Sequence, residues 1–266
     1  MSLNQEKKSM ANFVKINKEE YKELLKKVLF TTFFHELDWH EFLKKQFKWL
    51  KFEYYLYKDN FLLPLARFKV FGKEKIVSLP FCEYGGPLSL KWDINWGEFS
   101  KDVFNEFGNN IKIKVHPRIS GITGHPGTSS ASSSHWLTNL ENSSEQEIWA
   151  SFRKTLRHEI KHAQEQNLRI KRCENFKELK QFYNLYVVNL KRKKTVPHTF
   201  EIVKCLYQYG GAELLLAFCK NKIIAGSLFL NYSGFVHYFL SASDYKYRDF
   251  GANHLILWEK IKSLCG

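Results

Sequence analysis

The sequence lacks any long hydrophobic run. No apolar stretch reaches the roughly 18 residues that a membrane helix needs, and the start of the chain, with Lys7 and Lys8 among polar residues, has no signal-peptide core. These absences predict a chain with no integral membrane segment, placed in the cytoplasm or peripherally at the inner face of the membrane. Cysteine is scarce and unpatterned. The five residues Cys82, Cys173, Cys205, Cys219 and Cys265 are odd in number and form no C-x-x-C pair, which argues against a disulfide framework and structural zinc and predicts reduced, mostly buried thiols. Neither a G-x-S-x-G elbow nor a P-loop is present. Acidic residues are the minority, 27 against 41 Lys and Arg, and the formal charge of +14 favours phosphates, carboxylates or anionic membrane surfaces as partners.

What is present is core-forming material. With 44% hydrophobic and 16% aromatic residues among 266, the chain is folded and long enough for one large domain or two ordinary ones. Apolar residues at three- and four-residue steps between Lys18 and Phe47 predict two helices. Phe52–Tyr57 and Phe61–Phe68 flank Lys58-Asp59-Asn60 as a hairpin, with Pro64 weakening its second strand or placing it at an edge. A third strand at Ile76–Leu79 leads into Tyr84-Gly85-Gly86-Pro87, and a helix at Trp96–Phe107 and a strand at Ile111–Val115 follow.

The second half has the same order. Ser144 with Glu147 three residues on is a capping box, and Trp149, Phe152, Leu156, Ile160 and Ala163 form one apolar stripe that Asn167 ends. A strand at Leu168–Cys173, helices near Phe176–Leu190 and Phe200–Tyr207, a hairpin of Glu213–Phe218 and Ile223–Leu230, a strand at Phe235–Leu240 and a helix at Leu255–Ile261 complete the pattern. Helix pair, hairpin, third strand, loop and helix thus recur, a duplicated α+β unit whose residues do not repeat. The turn-rich segment Gly124–Ser134 between the halves divides the chain into domains 1–125 and 136–266, with 126–135 as linker or loop.

Tyr247-Arg248-Asp249-Phe250-Gly251-Ala252-Asn253-His254 joins the last strand to the last helix. A glycine here admits close backbone approach, and the free N–H groups of a helix start suit phosphate oxygens. The segment resembles the pyrophosphate loop of the GNAT acyltransferases, [Gln/Arg]-x-x-Gly-x-[Gly/Ala], through Arg248 and Gly251, and departs from it at Asn253. Together with Leu79–Leu88, with Trp149–Arg153, Arg157, Ile160, Lys161 and Ala163, and with Ser241-Ala242-Ser243-Asp244, it is similar to the FemAB-type branch of that superfamily, which includes peptidoglycan-bridge aminoacyltransferases. The similarity runs from about Phe33 to the end. It implies two tandem GNAT-like domains of mixed sheet flanked by helices, and transfer of an acyl or aminoacyl group to an amine. It also implies an acyl-CoA or aminoacyl-tRNA donor substrate with no tightly bound cofactor, and a small-molecule or envelope-precursor acceptor. Family members continue past this last helix, so the resemblance implies a second domain incomplete at its C-terminus.

On that reading Arg248, Gly251, Ala252 and Asn253 hold the donor phosphate, Tyr84, Gly85, Gly86, Ser241 and Ser243 shape the acceptor pocket, and the oxyanion takes a backbone N–H beside the strand. Strand alternation puts His237, Phe239 and Ser241 on one face and Tyr238 on the other, so His237 and Tyr238 share a face only across a bulge. Both stay open as catalytic acid–base groups, with Asp244 a third candidate that either takes a proton or anchors the amine. Residues 149–194 hold thirteen Lys and Arg against four Glu. Within them Arg153, Arg157 and Lys161 recur every four residues, a basic face able to follow a phosphate backbone such as that of tRNA, or simply a solvated surface. The rival function is a non-catalytic degenerate transferase fold that binds nucleic acid or an anionic precursor through this helix. Lys191–Lys194 reads as an exposed loop. His158-Glu159-Ile160-Lys161-His162 spells H-E-x-x-H, but Arg157 and Lys161 would crowd a dication and no third ligand sits at metzincin spacing, so no metal is expected. His35, His40, His116, His125 and His135 show no metal-ligand spacing, and most of them read as surface or loop residues.

Overall fold

The computed structural model describes residues 12–82, 84–91, 95–115, 140 and 143–265. The chain divides into two compact units, Met1–Trp136 and Leu137–Gly266. The expected linker at 126–135, and His116, His125 and His135, lie outside the described residues.

In the first unit β1 (Phe13–Ile16) precedes α1 (Lys18–Leu25), a 3₁₀ turn at Phe33–His35, α2 (Leu37–Gln46), β2 (Lys51–Tyr57), β3 (Phe61–Val70), β4 (Lys73–Val77), β5 (Leu88–Ser89), α3 (Trp96–Phe107) and β6 (Ile111–Lys112). The sheet runs β1-β2-β3-β4-β6, with β5 also on β3. Among the described residues only the β4–β6 pairing is parallel. Asn17 opens α1 with a capping box, accepting the Glu20 N–H while its own N–H donates to the Glu20 carboxylate. Alternation on β2 sends Tyr55 and Tyr57 into a cluster with Trp96, Phe99 and Val103 of α3, and Tyr54 and Leu56 into another with Tyr21 and Leu25 of α1. Both sheet faces are therefore covered, each buried side chain of this size contributing about 2 kcal/mol.

The second unit holds α4 (Glu145–Ser151), α5 (Lys154–Glu165), β7 (Arg169–Arg172), α6 (Phe176–Arg192), α7 (Phe200–Gln208), β8 (Ala212–Cys219), β9 (Lys222–Tyr232), β10 (Phe235–Ser243), a 3₁₀ turn at Tyr245–Phe250 and α8 (Ala252–Lys262). Its sheet order is β10-β9-β8-β7, antiparallel throughout. Strand, two helices, three antiparallel strands and a covering helix thus occur in both units with the same strand order. The duplication is real and includes leading strands, of which the sequence pattern predicts only the second. Parallel β6 has no counterpart among the described residues of the second unit.

Four expectations change. Pro64 sits in a central strand opposite Tyr54. It falls between the β5 partners Phe61–Leu62 and the β4 partners Ala66–Val70, a gap in pairing that tolerates its missing N–H. The single apolar stripe is two helices, because Phe152 and Arg153 adopt extended backbone (ψ 144° and 148°). The break lets Trp149 and Phe152 both pack on Trp258, at 5.0 and 5.6 Å. Lys191 and Arg192 form the last turn of α6 with Lys193 at its cap, so the basic run ends a helix instead of lying in a loop. His35 and His40 are fully buried rather than on the surface.

Candidate functional site

Asp244 closes β10 and starts the turn toward α8. Its carboxylate accepts the Lys246 N–H at 3.1 Å and the Lys222 ammonium at 2.7 Å, and the bonded Lys222 holds the Asp244 carboxyl below the usual carboxylate range. The geometry makes it an anionic turn cap. Arg248 is exposed, donates to the Tyr245 hydroxyl and to Asp249, and lies over the Tyr245 ring at 4.6 Å.

Gly251 then takes a left-handed conformation, φ 63° and ψ 21°, as the residue before α8. A Cβ there would stand 3.2 Å from Ala163 Cβ and 3.3 Å from the Glu159 carbonyl. The backbone angle favours glycine, and the close approach of α5 leaves little room for a Cβ. His162 of α5 donates through Nε2 to the Asp249 carbonyl at 3.1 Å, and Glu159 pairs with His254 at 3.5 Å. Two side chains of the H-E-x-x-H stretch thus brace this turn, and among the described residues no three His, Cys, Asp or Glu stand together as a metal site. Past Gly251, the His254 and Leu255 amides bond back to the Gly251 carbonyl. Among the described residues no acceptor meets the Ala252 and Asn253 amides, and Asn253 Oδ1 is buried without a donor. Two N–H groups without a protein acceptor, with the helix dipole behind them, are of the kind that can bind an anion.

The strand leading here carries a bulge. Tyr238 pairs with Phe229 but Leu240 pairs with Leu228, leaving Phe239 as an extra residue. Simple alternation fails at this point. Tyr238, Ser241 and Ser243 pair with Phe229, Ser227 and Ala225, and Phe229 and Ala225 pack with Ala252 and Ile256 of α8. His237, Leu240 and Ala242 pair with Leu230, Leu228 and Gly226 on the opposite face, where Gly226 abuts Phe182 of α6. Ser241 therefore shares a face with Tyr238, not with His237, and the sheet separates His237 from α8. A bulge has no letter signature in Phe235–Leu240, so periodicity could not reveal it.

Arg153 is the non-helical cap of α5, so only Arg157 and Lys161 of the expected basic face lie on the helix. None of the three has a carboxylate partner among the described residues. Tyr84, Gly85 and Gly86 belong to the first unit. The Gly85 and Gly86 amides both donate to the Lys114 carbonyl, at 2.9 and 3.3 Å, and the Lys114 ammonium donates to the Leu79 and Cys82 carbonyls. Lys114 is the organising residue of this loop, and its separation from Tyr84 by about thirty positions hid it from motif reading.

Residues 150–266 match the family model described as the acetyltransferase (GNAT) domain. The crystal structure of FemX superposes with a TM-score of 0.63 at 14% identity, covering 95% of this chain and 85% of that one. A conserved protein of unknown function from Bacteroides thetaiotaomicron VPI-5482 gives 0.44 at 12% identity, over 96% and 86%. An aminoglycoside acetyltransferase from an uncultured soil metagenomic sample, in complex with sisomicin, gives 0.29 at 17%, over 36% and 70%. Comparison with curated proteins finds no sequence match. The tandem fold is thus shared with FemX, and the acetyltransferase (GNAT) family model matches within the second unit.

Proposed function

We propose that the chain is an N-acyltransferase that takes an acyl or aminoacyl group from a phosphate-bearing donor and passes it to an amine. The observation that carries this reading is the pair of open amides at Ala252 and Asn253, behind left-handed Gly251 and beside Arg248. An acyl-CoA pyrophosphate or the terminal phosphate of an aminoacyl-tRNA fits that seat as part of a substrate. Arg157 and Lys161, without carboxylate partners among the described residues, favour the tRNA-borne donor as the larger alternative. The acceptor is a small amine or an envelope precursor, and the protein works in the cytoplasm.

In the transfer the amine nitrogen attacks the donor carbonyl carbon, the C–N bond forms, and the bond to the leaving sulfur or oxygen breaks. Tyr238, on the α8 face of β10, gives its hydroxyl proton to the leaving atom and recovers one from the ammonium product. Asp244, already committed to Lys222 and the turn, anchors rather than titrates. Most of the acceleration is positioning.

Separate substitutions test separate parts. Arg248→Ala is expected to weaken donor binding about fivefold by calorimetry, and Tyr238→Phe to lower kcat about a hundredfold with donor affinity unchanged. Unchanged affinity in the first variant, or unchanged turnover in the second, removes that residue from its role. RNA binding with steep salt dependence and no acyl transfer to any amine would favour the non-catalytic reading.

A further inference from the structure

The β3–β4 hairpin ends in a two-residue turn, Phe71-Gly72, with φ of 50° and 76°. Turns with two positive φ values favour Asn-Gly, and a bulky L-residue in the first position is strained. Phe71 is also fully exposed, at 100%. Backbone preference and hydrophobicity both oppose phenylalanine here, so folding does not account for it.

The surroundings indicate what does. Val70 and Trp49 are exposed to 40% and 54%, and Trp49 packs edge-on against Phe68, 5.6 Å away, on the strand face that Phe68 shares with Val70. Cross-strand register sets Lys73 opposite Val70, Glu74 opposite Lys69 and Lys75 opposite Phe68. The carboxylate of Glu74 is taken by Arg67 at 3.0 Å. An apolar tip is therefore collared by Lys69 and Lys73, with Lys75 opposite Phe68 and Lys51 opposite Arg67 behind it. That is the chemistry of an interfacial anchor: aromatic and aliphatic groups enter the acyl boundary while ammonium groups meet lipid phosphates. A second copy of the chain would bring the same cations against themselves.

We propose that the tip of the β3–β4 hairpin docks the protein on an anionic bilayer, with Phe71 and Val70 among the acyl chains and Lys69 and Lys73 on the headgroup phosphates. The inference stands apart from the transferase reading, because lipid binding is measured without any donor or acceptor.

The test is flotation of the full chain with vesicles of phosphatidylcholine alone or with equimolar phosphatidylglycerol. The wild type is expected to bind the anionic vesicles about tenfold more strongly, and Lys69→Ala with Lys73→Ala to remove most of that preference. Phe71→Asn is expected to lose about tenfold in vesicle binding while raising Tm, since asparagine suits the left-handed turn. A loss of fold cannot produce that pair of results. Equal binding to neutral and anionic vesicles, or wild-type vesicle binding by Phe71→Asn, overturns the proposal. So does a dimer in light scattering that Phe71→Asn converts to monomer when neither protein floats with vesicles.

Discussion

Replacing Gly85 with alanine is expected to destabilise the first unit by about 3–5 kcal/mol, the range of severe steric insertions. The added Cβ would stand 1.6 Å from the Ser78 carbonyl oxygen and 2.4 Å from its carbon. Both are backbone atoms, so no rotamer change relieves the clash. Moving the loop away breaks the two amide bonds to the Lys114 carbonyl and disturbs Leu79 and Phe81, already at positive φ. Gly72→Ala supplies the control. Its φ is positive, at 76°, as that of Gly85 is not, but its Cβ would meet nothing within 4 Å, so only the left-handed penalty of about 1 kcal/mol remains. Urea melts of the two variants should differ by several-fold in ΔΔG, and a Gly85→Ala protein within 1 kcal/mol of wild type would show that the loop does not pack as described.

The second large effect is on pH. His40 is buried in the first unit, where its Nε2–H donates to the Phe34 carbonyl at 2.9 Å and its Nδ1 therefore accepts the Tyr54 hydroxyl at 3.0 Å. Burial lowers its pKa from 6.5 to about 4, as expected for an imidazole that must stay neutral away from water. In the unfolded chain the same ring protonates near 6.5. Between these values the unfolded state binds the extra proton, so stability is complete above about pH 6.5 and falls as pH drops toward 4. The loss amounts to about 3 kcal/mol. His40→Gln should be less stable at pH 7 but lose about one proton from the slope of stability against pH in that window. The carboxylates that Lys18 and Lys15 hold low, Glu41 and Glu53, act in the same direction at lower pH and remain in both proteins. An unchanged slope in His40→Gln would mean that the imidazole is not held neutral.

Much of the fold was legible because its signals are local. The hairpin around Lys58–Asn60, the Ser144–Glu147 capping box and the helix Trp96–Phe107 follow from alternation, cap chemistry and helical period, and appear as expected. What was hidden depends on tertiary contact. The helix break at Phe152–Arg153 contains neither glycine nor proline, and serves packing on Trp258. The Phe239 bulge reverses the facing of everything after it, which is why Ser241 joins Tyr238. Gly85 and Gly251 are conspicuous as letters, but their reasons, the Ser78 carbonyl and Ala163, lie elsewhere in the chain. His40 looked like a polar surface residue because its partners Phe34 and Tyr54 are supplied by folding.

The GNAT-domain match and the FemX-like fold give the frame; the proposal depends on the start of α8. The most direct measurement is backbone amide NMR of the protein during titration with coenzyme A and, separately, with a tRNA acceptor-stem fragment. The account predicts that the Ala252 and Asn253 cross-peaks move first and furthest with one of these ligands, and that Arg248→Ala raises the concentration needed. If either ligand binds at saturating levels while those two amides stay in place, or if neither ligand moves any resonance of α8, the donor site is not there.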